Sequence, residues 1–212
     1  MADIIIENKH FRLVVGEDAI SKSLIVKATG EECLIPGKKV ALFSLTEKRP
    51  FNNELKLAYP NKRMTFEAND LRRDGNKLNI GFEMLGFRAI VEIDEQDDYI
   101  GFKLVDFEGH EGTTHNDWFG GLDMDRPPVD VFRMIQLPIK ERENFGEWLN
   151  VMWDDKSAVN VLGTHPFTRI DADKDDNGKI MYAESLLKFN LKRLVRQSSP
   201  AKRTSLWTVS KQ

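Results

Sequence analysis

Residues 171–184 read DADKDDNGKIMYAE, the run in this 212-residue chain whose residue types and spacing come nearest to a known chemistry. Counted from Asp173, the order fits an EF-hand calcium loop. Asp173, Asp175 and Asn177 offer side-chain oxygens, Gly178 the sharp turn, Lys179 its carbonyl, Ile180 the apolar position and Glu184 a bidentate carboxylate. A hard cation needs about six to eight oxygens, and this spacing could deliver them from one loop. Calcium is therefore the one cofactor the sequence suggests, and nothing else in it requires a cofactor. The flanks favour a different reading. The preceding VLGTHPFTRIDA holds Gly163, Pro166 and β-prone residues instead of an amphipathic entering helix, and no second loop is present to pair with this one. Asn-Gly between β-capable runs is a strong hairpin signal, so the expectation is a hairpin turning at 175–178.

A second group lies in THNDWFGG, where His115, Asn116, Asp117 and Trp118 fall together. An indole stacks on the C–H face of a sugar while amide and carboxylate groups take its hydroxyls, so these four are candidate carbohydrate ligands. The competing reading has Trp118 and Phe119 folding the loop back over the protein as packing anchors. Trp148 and Trp153 read as core residues on one strand. Five positions apart, they occupy opposite faces, so at most one is fully inside. General acid–base work needs two placed carboxylates or a histidine with a partner. Asp123 and Asp125, Asp154 and Asp155, and Glu141, Glu143 and Glu147 are available, yet nothing selects a pair and the catalytic residues are unknown at this level. The chain has no GxSxG, P-loop, dinucleotide fingerprint or HExxH.

The elements that must hold these groups are strands. Alternating or apolar runs at residues 3–6, 11–15, 23–26, 39–45, 56–58, 63–70, 77–84, 87–93 and 99–107 are separated by turn signals such as Thr29-Gly30, Pro36-Gly37 and Asp74-Gly75-Asn76. MTFEANDLRRDGNKLNIGFEM and RAIVEIDEQDDYIGFKLVDFE together predict a four-strand meander. Residues 109–128 read as a long surface loop. Strands resume at 131–139, 148–153 and 157–163, with Asp154-Asp155-Lys156 as a hairpin turn, and the opening motif follows between two more. The fold class is all-β, a large antiparallel β-sandwich with little helix. Residues 1–195 form a single domain on this reading, and 196–212 a basic, poorly ordered tail or a truncated edge.

Charge divides along the chain. After Glu184 there is no acidic residue, while the body up to residue 187 carries 24 basic and 34 acidic side chains. Seven basic residues in the tail, without aromatic interleaving, predict a solvated end and no nucleic-acid partner. No run approaches a membrane span. The start MADIIIENKHF lacks the basic and long apolar regions of a secretory signal, which predicts a cytoplasmic protein or one whose signal has been removed. The single Cys33 excludes an internal disulfide and predicts a small buried side chain.

Three stretches carry a family likeness: IIIENKHFRLVVGEDAISKSLIVKATGEECL, LNVMWDDKSAVNVLGTHP, and RIDA with the following YAESLLKFNLK. Over residues 3–192 the chain resembles the galactose mutarotase-like β-supersandwich domain that precedes the catalytic barrel of α-galactosidase-related glycoside hydrolases. The resemblance implies two large antiparallel sheets packed face to face and an accessory role, with a carbohydrate or a glycoside hydrolase catalytic domain as partner. The barrel carrying the catalytic carboxylates lies outside this sequence, and no catalytic residue carries over. Two other functions compete. One is a stand-alone aldose mutarotase or epimerase using His115 or His165. The other is a calcium-dependent interaction module built on residues 173–184.

Overall fold

The computed structural model describes residues 3–47, 64–82, 87–108, 129–165, 168–186 and 203–210. Among these residues seventeen strands run in chain order: β1 (Ile4–Glu7), β2 (Phe11–Val15), β3 (Ser21–Val26), β4 (Glu31–Glu32), β5 (Ser44–Glu47), β6 (Met64–Glu67), β7 (Asp70–Asp74), β8 (Lys77–Phe82), β9 (Phe87–Glu95), β10 (Tyr99–Glu108), β11 (Val129–Lys140), β12 (Asn144–Gly146), β13 (Val151–Trp153), β14 (Ser157–Gly163), β15 (Thr168–Asp175), β16 (Gly178–Leu186) and β17 (Arg203–Ser210). Among the described residues the only helical piece is a 3-10 turn at Glu147–Leu149. The strands form three antiparallel sheets. A four-stranded sheet has the order β1-β2-β3-β4, an eight-stranded sheet β12-β13-β14-β17-β10-β9-β8-β7, and a five-stranded sheet β15-β16-β11-β5-β6. The fold is an all-β sandwich.

Period-two patterning explains the layers. In β9, Phe87, Ala89, Val91 and Ile93 are buried between more exposed neighbours, and Leu78, Ile80 and Phe82 do the same in β8. The five-stranded sheet supplies Phe132, whose ring stacks on Phe43 at 6.2 Å and meets Phe82 and Phe107 of the eight-stranded sheet edge-on, each at 6.4 Å. Those contacts fix the two sheets face to face. Ile6, Phe11, Leu13 and Leu24 bring the four-stranded sheet into the same core. Single bridges, Ile20 with Ala41 and Leu34 with Ile139, join it to the rest.

The expected meander is present as β7-β8-β9-β10, turning at Gly75 and Asn76 between Asp74 and Lys77. Its first strand differs from the expectation. Met64–Glu67 pairs with β5 in the five-stranded sheet, and only Asp70–Asp74 joins the meander. The chain changes sheets at Ala68 and Asn69, whose N–H groups donate to Phe43 and Gly81 carbonyls on opposite layers. The Asp154–Lys156 turn joins β13 to β14 as expected, with Asp154 Oδ1 accepting the Lys156 and Ser157 N–H groups at 2.9 Å each. Residues 203–210, read from sequence as part of a patternless tail, form β17 in the interior of the eight-stranded sheet, bonded to β10 on one side and β14 on the other.

Candidate functional site

The opening motif folds as a hairpin. β15 and β16 pair from Thr168↔Ser185 to Asp175↔Gly178, with Asp176 and Asn177 as the turn. Ile170 and Ala172 face the core with Met181 and Ala183, so the opposite face carries Arg169, Asp171 and Asp173 beside Ile180, Tyr182 and Glu184. The next strand, β11, extends this outward face through a bulge. Its register with β16 shifts between Arg133 and Ile135, and Met134 and Ile135 are both buried. One extra residue thus puts Arg133 and Gln136, three positions apart, on the same side. Arg133 lies opposite Glu184, and Gln136 lies opposite Tyr182.

Cross-strand ion pairs order the face. Arg133 reaches Glu184 Oε2 from Nε at 3.4 Å and Asp173 Oδ2 from Nη1 at 3.3 Å. Arg169 Nη1 approaches Glu184 Oε1 at 3.7 Å, and its Nη2 donates to Asp171 Oδ2. Glu184 therefore sits between two guanidinium groups from flanking strands. The Arg133 guanidinium carbon lies 3.7 Å from the centre of the Tyr182 ring, a cation–π contact. Tyr182 is buried, and burial pushes its phenol up to about 12 even though Arg133 pulls the other way. The Arg169 hydrogen bond holds the Asp171 carboxyl below its usual range, overcoming the effect of burial. Deeper on the same face, Ser44 Oγ donates to Gln136 Oε1 at 3.5 Å.

The calcium candidates are distributed along this hairpin. Asp173 and Glu184 both meet Arg133. Asp175 pairs with Lys38 at 2.7 Å and accepts the Asn177 N–H at 3.2 Å. Lys179 lies opposite Lys174, and its ammonium sits 4.4 Å from the Phe145 ring centre. Glu184 is opposite Arg169, six register positions from the Asp175↔Gly178 pair, which at about 3.3 Å per residue is on the order of 20 Å. A calcium ion holds its ligands at about 2.5 Å, so Glu184 and the turn oxygens do not share a centre in this arrangement. Among the described residues no group of three or more His, Cys, Asp or Glu is placed to hold a metal.

The sugar candidates His115, Asn116, Asp117 and Trp118 lie outside the described residues. Trp148 and Trp153 correct the sequence reading, because neither is in the core. Trp148 is 94% exposed on the 3-10 turn and Trp153 is 38% exposed on β13. The reading took 148–153 as one strand, but strand alternation does not apply to the 3-10 turn that begins it. Arg133, Gln136, Tyr182 and Arg169 escaped the sequence reading. Tyr182 and Arg169 were accessible by stepping two residues at a time from Glu184 and Asp173, whereas Arg133 and Gln136 share a face only because of the bulge.

No protein-family model and no curated protein sequence matches the chain. Among solved structures it is similar to a GH31 family sulfoquinovosidase from E. rectale, determined in complex with an aza-sugar inhibitor. The TM-score is 0.38 and the sequence identity 9%. The match covers 98% of this chain and 32% of that one, so the chain spans about a third of the length of that enzyme.

Proposed function

We propose that this chain is a non-catalytic, carbohydrate-associated β-sandwich domain related to the N-terminal domain of a glycoside hydrolase. The observation that carries this reading is the row opposite the core side of β11, β16 and β15, where Arg169 is exposed, Arg133 and Asp171 are half-buried, and Gln136, Tyr182 and Glu184 lie buried beneath them. Sugar hydroxyls are selected by planar groups that offer paired donors and acceptors at fixed positions. A rigid sheet whose arginines and carboxylates already hold one another supplies such groups with little ordering cost on binding. The same pairing supports a non-catalytic role. A general acid needs a carboxyl raised toward neutral pH, and the Arg169 bond shifts Asp171 in the opposite direction.

Calorimetric titration with neutral mono- and oligosaccharides tests the proposal, with polarimetry of a fresh aldose solution alongside. The expected result is saturable binding that Arg133→Met weakens about tenfold, with mutarotation at its spontaneous rate. Absence of binding to every sugar, or acceleration of mutarotation, overturns it.

A further inference from the structure

The β12–β13 hairpin is the outer edge of the eight-stranded sheet, and its tip is the 3-10 turn Glu147–Leu149. Trp148 is 94% exposed there and Leu149 62%. The frame beneath them is rigid. Asn150 adopts the left-handed conformation, φ 45°, and its N–H donates to the Glu147 carbonyl at 3.1 Å. Its side chain is fully buried and donates from Nδ2 to the Val161 and Tyr182 carbonyls, each at 3.3 Å. Asn160 Nδ2 donates to the Leu149 carbonyl and, at 3.3 Å, to that of Asn150. The backbone immediately after Trp148 is thus fastened to β14 and β16 while its indole stays in water. On β13, Trp153 packs beside Gly146: a Cβ there would lie 3.4 Å from its ring, so glycine at 146 leaves room for the indole.

Size and charge indicate what such a platform takes. A specific protein interface covers about 800 Å² per partner, whereas one tryptophan contributes at most about 250 Å². The exposed Trp148 indole with Leu149 next to it falls short of the first, and an indole matches the flat face of a sugar ring. Glu147, the first residue of the turn, is exposed. Its carboxylate accepts hydrogen bonds from hydroxyls and repels anionic lipid surfaces and polyanions.

We infer that Trp148 is a stacking platform for a pyranose ring of a neutral oligosaccharide, a contact point separate from the Arg133–Glu184 face. The inference rests on the carbohydrate-associated reading and adds a site to it. The test follows tryptophan fluorescence and calorimetry of the full chain against neutral gluco-, galacto- and xylo-oligosaccharides, for wild type, Trp148→Ala, Trp148→Phe and Arg133→Met. Phosphatidylserine vesicles and a sedimentation run without sugar complete the set. The expected result is a blue shift on sugar binding by wild type, affinity about tenfold weaker in Trp148→Ala, and most of it retained in Trp148→Phe. Trp148 makes little contact with the fold, so an unchanged melting temperature in Trp148→Ala separates lost binding from lost structure. Sugar binding that Trp148→Ala leaves intact and Arg133→Met reduces overturns the platform and leaves the domain's proposed function standing. No sugar binding by wild type overturns both. Vesicle binding or self-association that depends on Trp148, without sugar binding at this tip, overturns the platform in favour of those occupants.

Discussion

Arg142 donates from Nη2 to the Cys33 sulfur at 3.2 Å, with both side chains shut off from solvent. The same guanidinium meets Asp154 Oδ2 at 2.6 Å and Glu31 Oε1 at 3.5 Å, and Glu31 also accepts Lys140 at 2.9 Å and the Ser157 hydroxyl at 2.9 Å. One buried cation therefore ties β4 of the small sheet to the β13–β14 turn of the large one. Removing it leaves two carboxylates without their buried counter-charge. Arg142→Met is expected to lose about 3–5 kcal/mol in urea unfolding. Adding Asp154→Asn should restore part of the loss, because it removes one stranded charge while its amide oxygen can still accept the turn N–H groups. Additive losses in the double variant would contradict the clamp.

Cys33 gives a separate readout. Burial pushes its thiol up to about 11, against the opposing pull of Arg142. The folded protein should react with a disulfide reagent at pH 8 far more slowly than the urea-unfolded chain, whose thiol titrates near about 8.5. Comparable rates in the two states would show that the sulfur is accessible.

Acid should expose the same network. Burial alone would raise the Glu31 and Asp154 carboxyls. For Glu31, the Lys140 and Ser157 bonds and the Arg142 charge outweigh burial; for Asp154, the Ser157 and Lys156 N–H groups and Arg142 do so. Both folded values lie below the unfolded ones. Their contribution is therefore complete above about pH 4.5 and is lost as pH falls through the folded values. Urea midpoints should be level from pH 7 to about 5 and then drop, with a shallower drop in Asp154→Asn. An identical slope in that variant would remove Asp154 from the account.

Tyr182 can be followed by ultraviolet titration. A difference between wild type and Tyr182→Phe should isolate one phenol ionising at about 12. In Arg133→Met the same phenol should titrate higher still, since the guanidinium favours the phenolate. A downward move would show that Arg133 does not sit on the ring.

Gly178 closes the β15–β16 turn at φ 155°, where a Cβ would collide with the Ile139 carbonyl oxygen and crowd the Glu141 nitrogen. Gly178→Ala should cost about 2 kcal/mol or more in unfolding free energy. A cost below about 0.5 kcal/mol would mean that β11 moves aside freely.

How much of this was legible in the sequence follows from the range of each signal. Alternation in FRLVV and FRAIVEIDE, and the turn chemistry of Asp74-Gly75 and Asn177-Gly178, act between near neighbours and identified strands and hairpins directly. The same turn chemistry favoured the hairpin over the calcium loop, and pairing then carried Glu184 away from the turn and toward Arg133 and Arg169. Alternation cannot tell which sheet a strand joins, so the passage from Met64–Glu67 to Asp70–Asp74 looked like one continuous run. It also cannot reveal a bulge, which depends on how β11 meets β16 and which alone brings Gln136 round to the side of Arg133.

Strand β17 has a consequence for how the chain is made. β10 and β14 do not bond to each other; the backbone of residues 203–210 fills the gap between them. During synthesis, folding proceeds from the N-terminus outward. Until that segment leaves the ribosome, the large sheet exists as two fragments with facing unpaired edges, each able to capture a strand from another chain. The nascent chain is thus open to aggregation for as long as residues 203–210 have yet to pair, and whatever shields those two edges in that interval governs its yield.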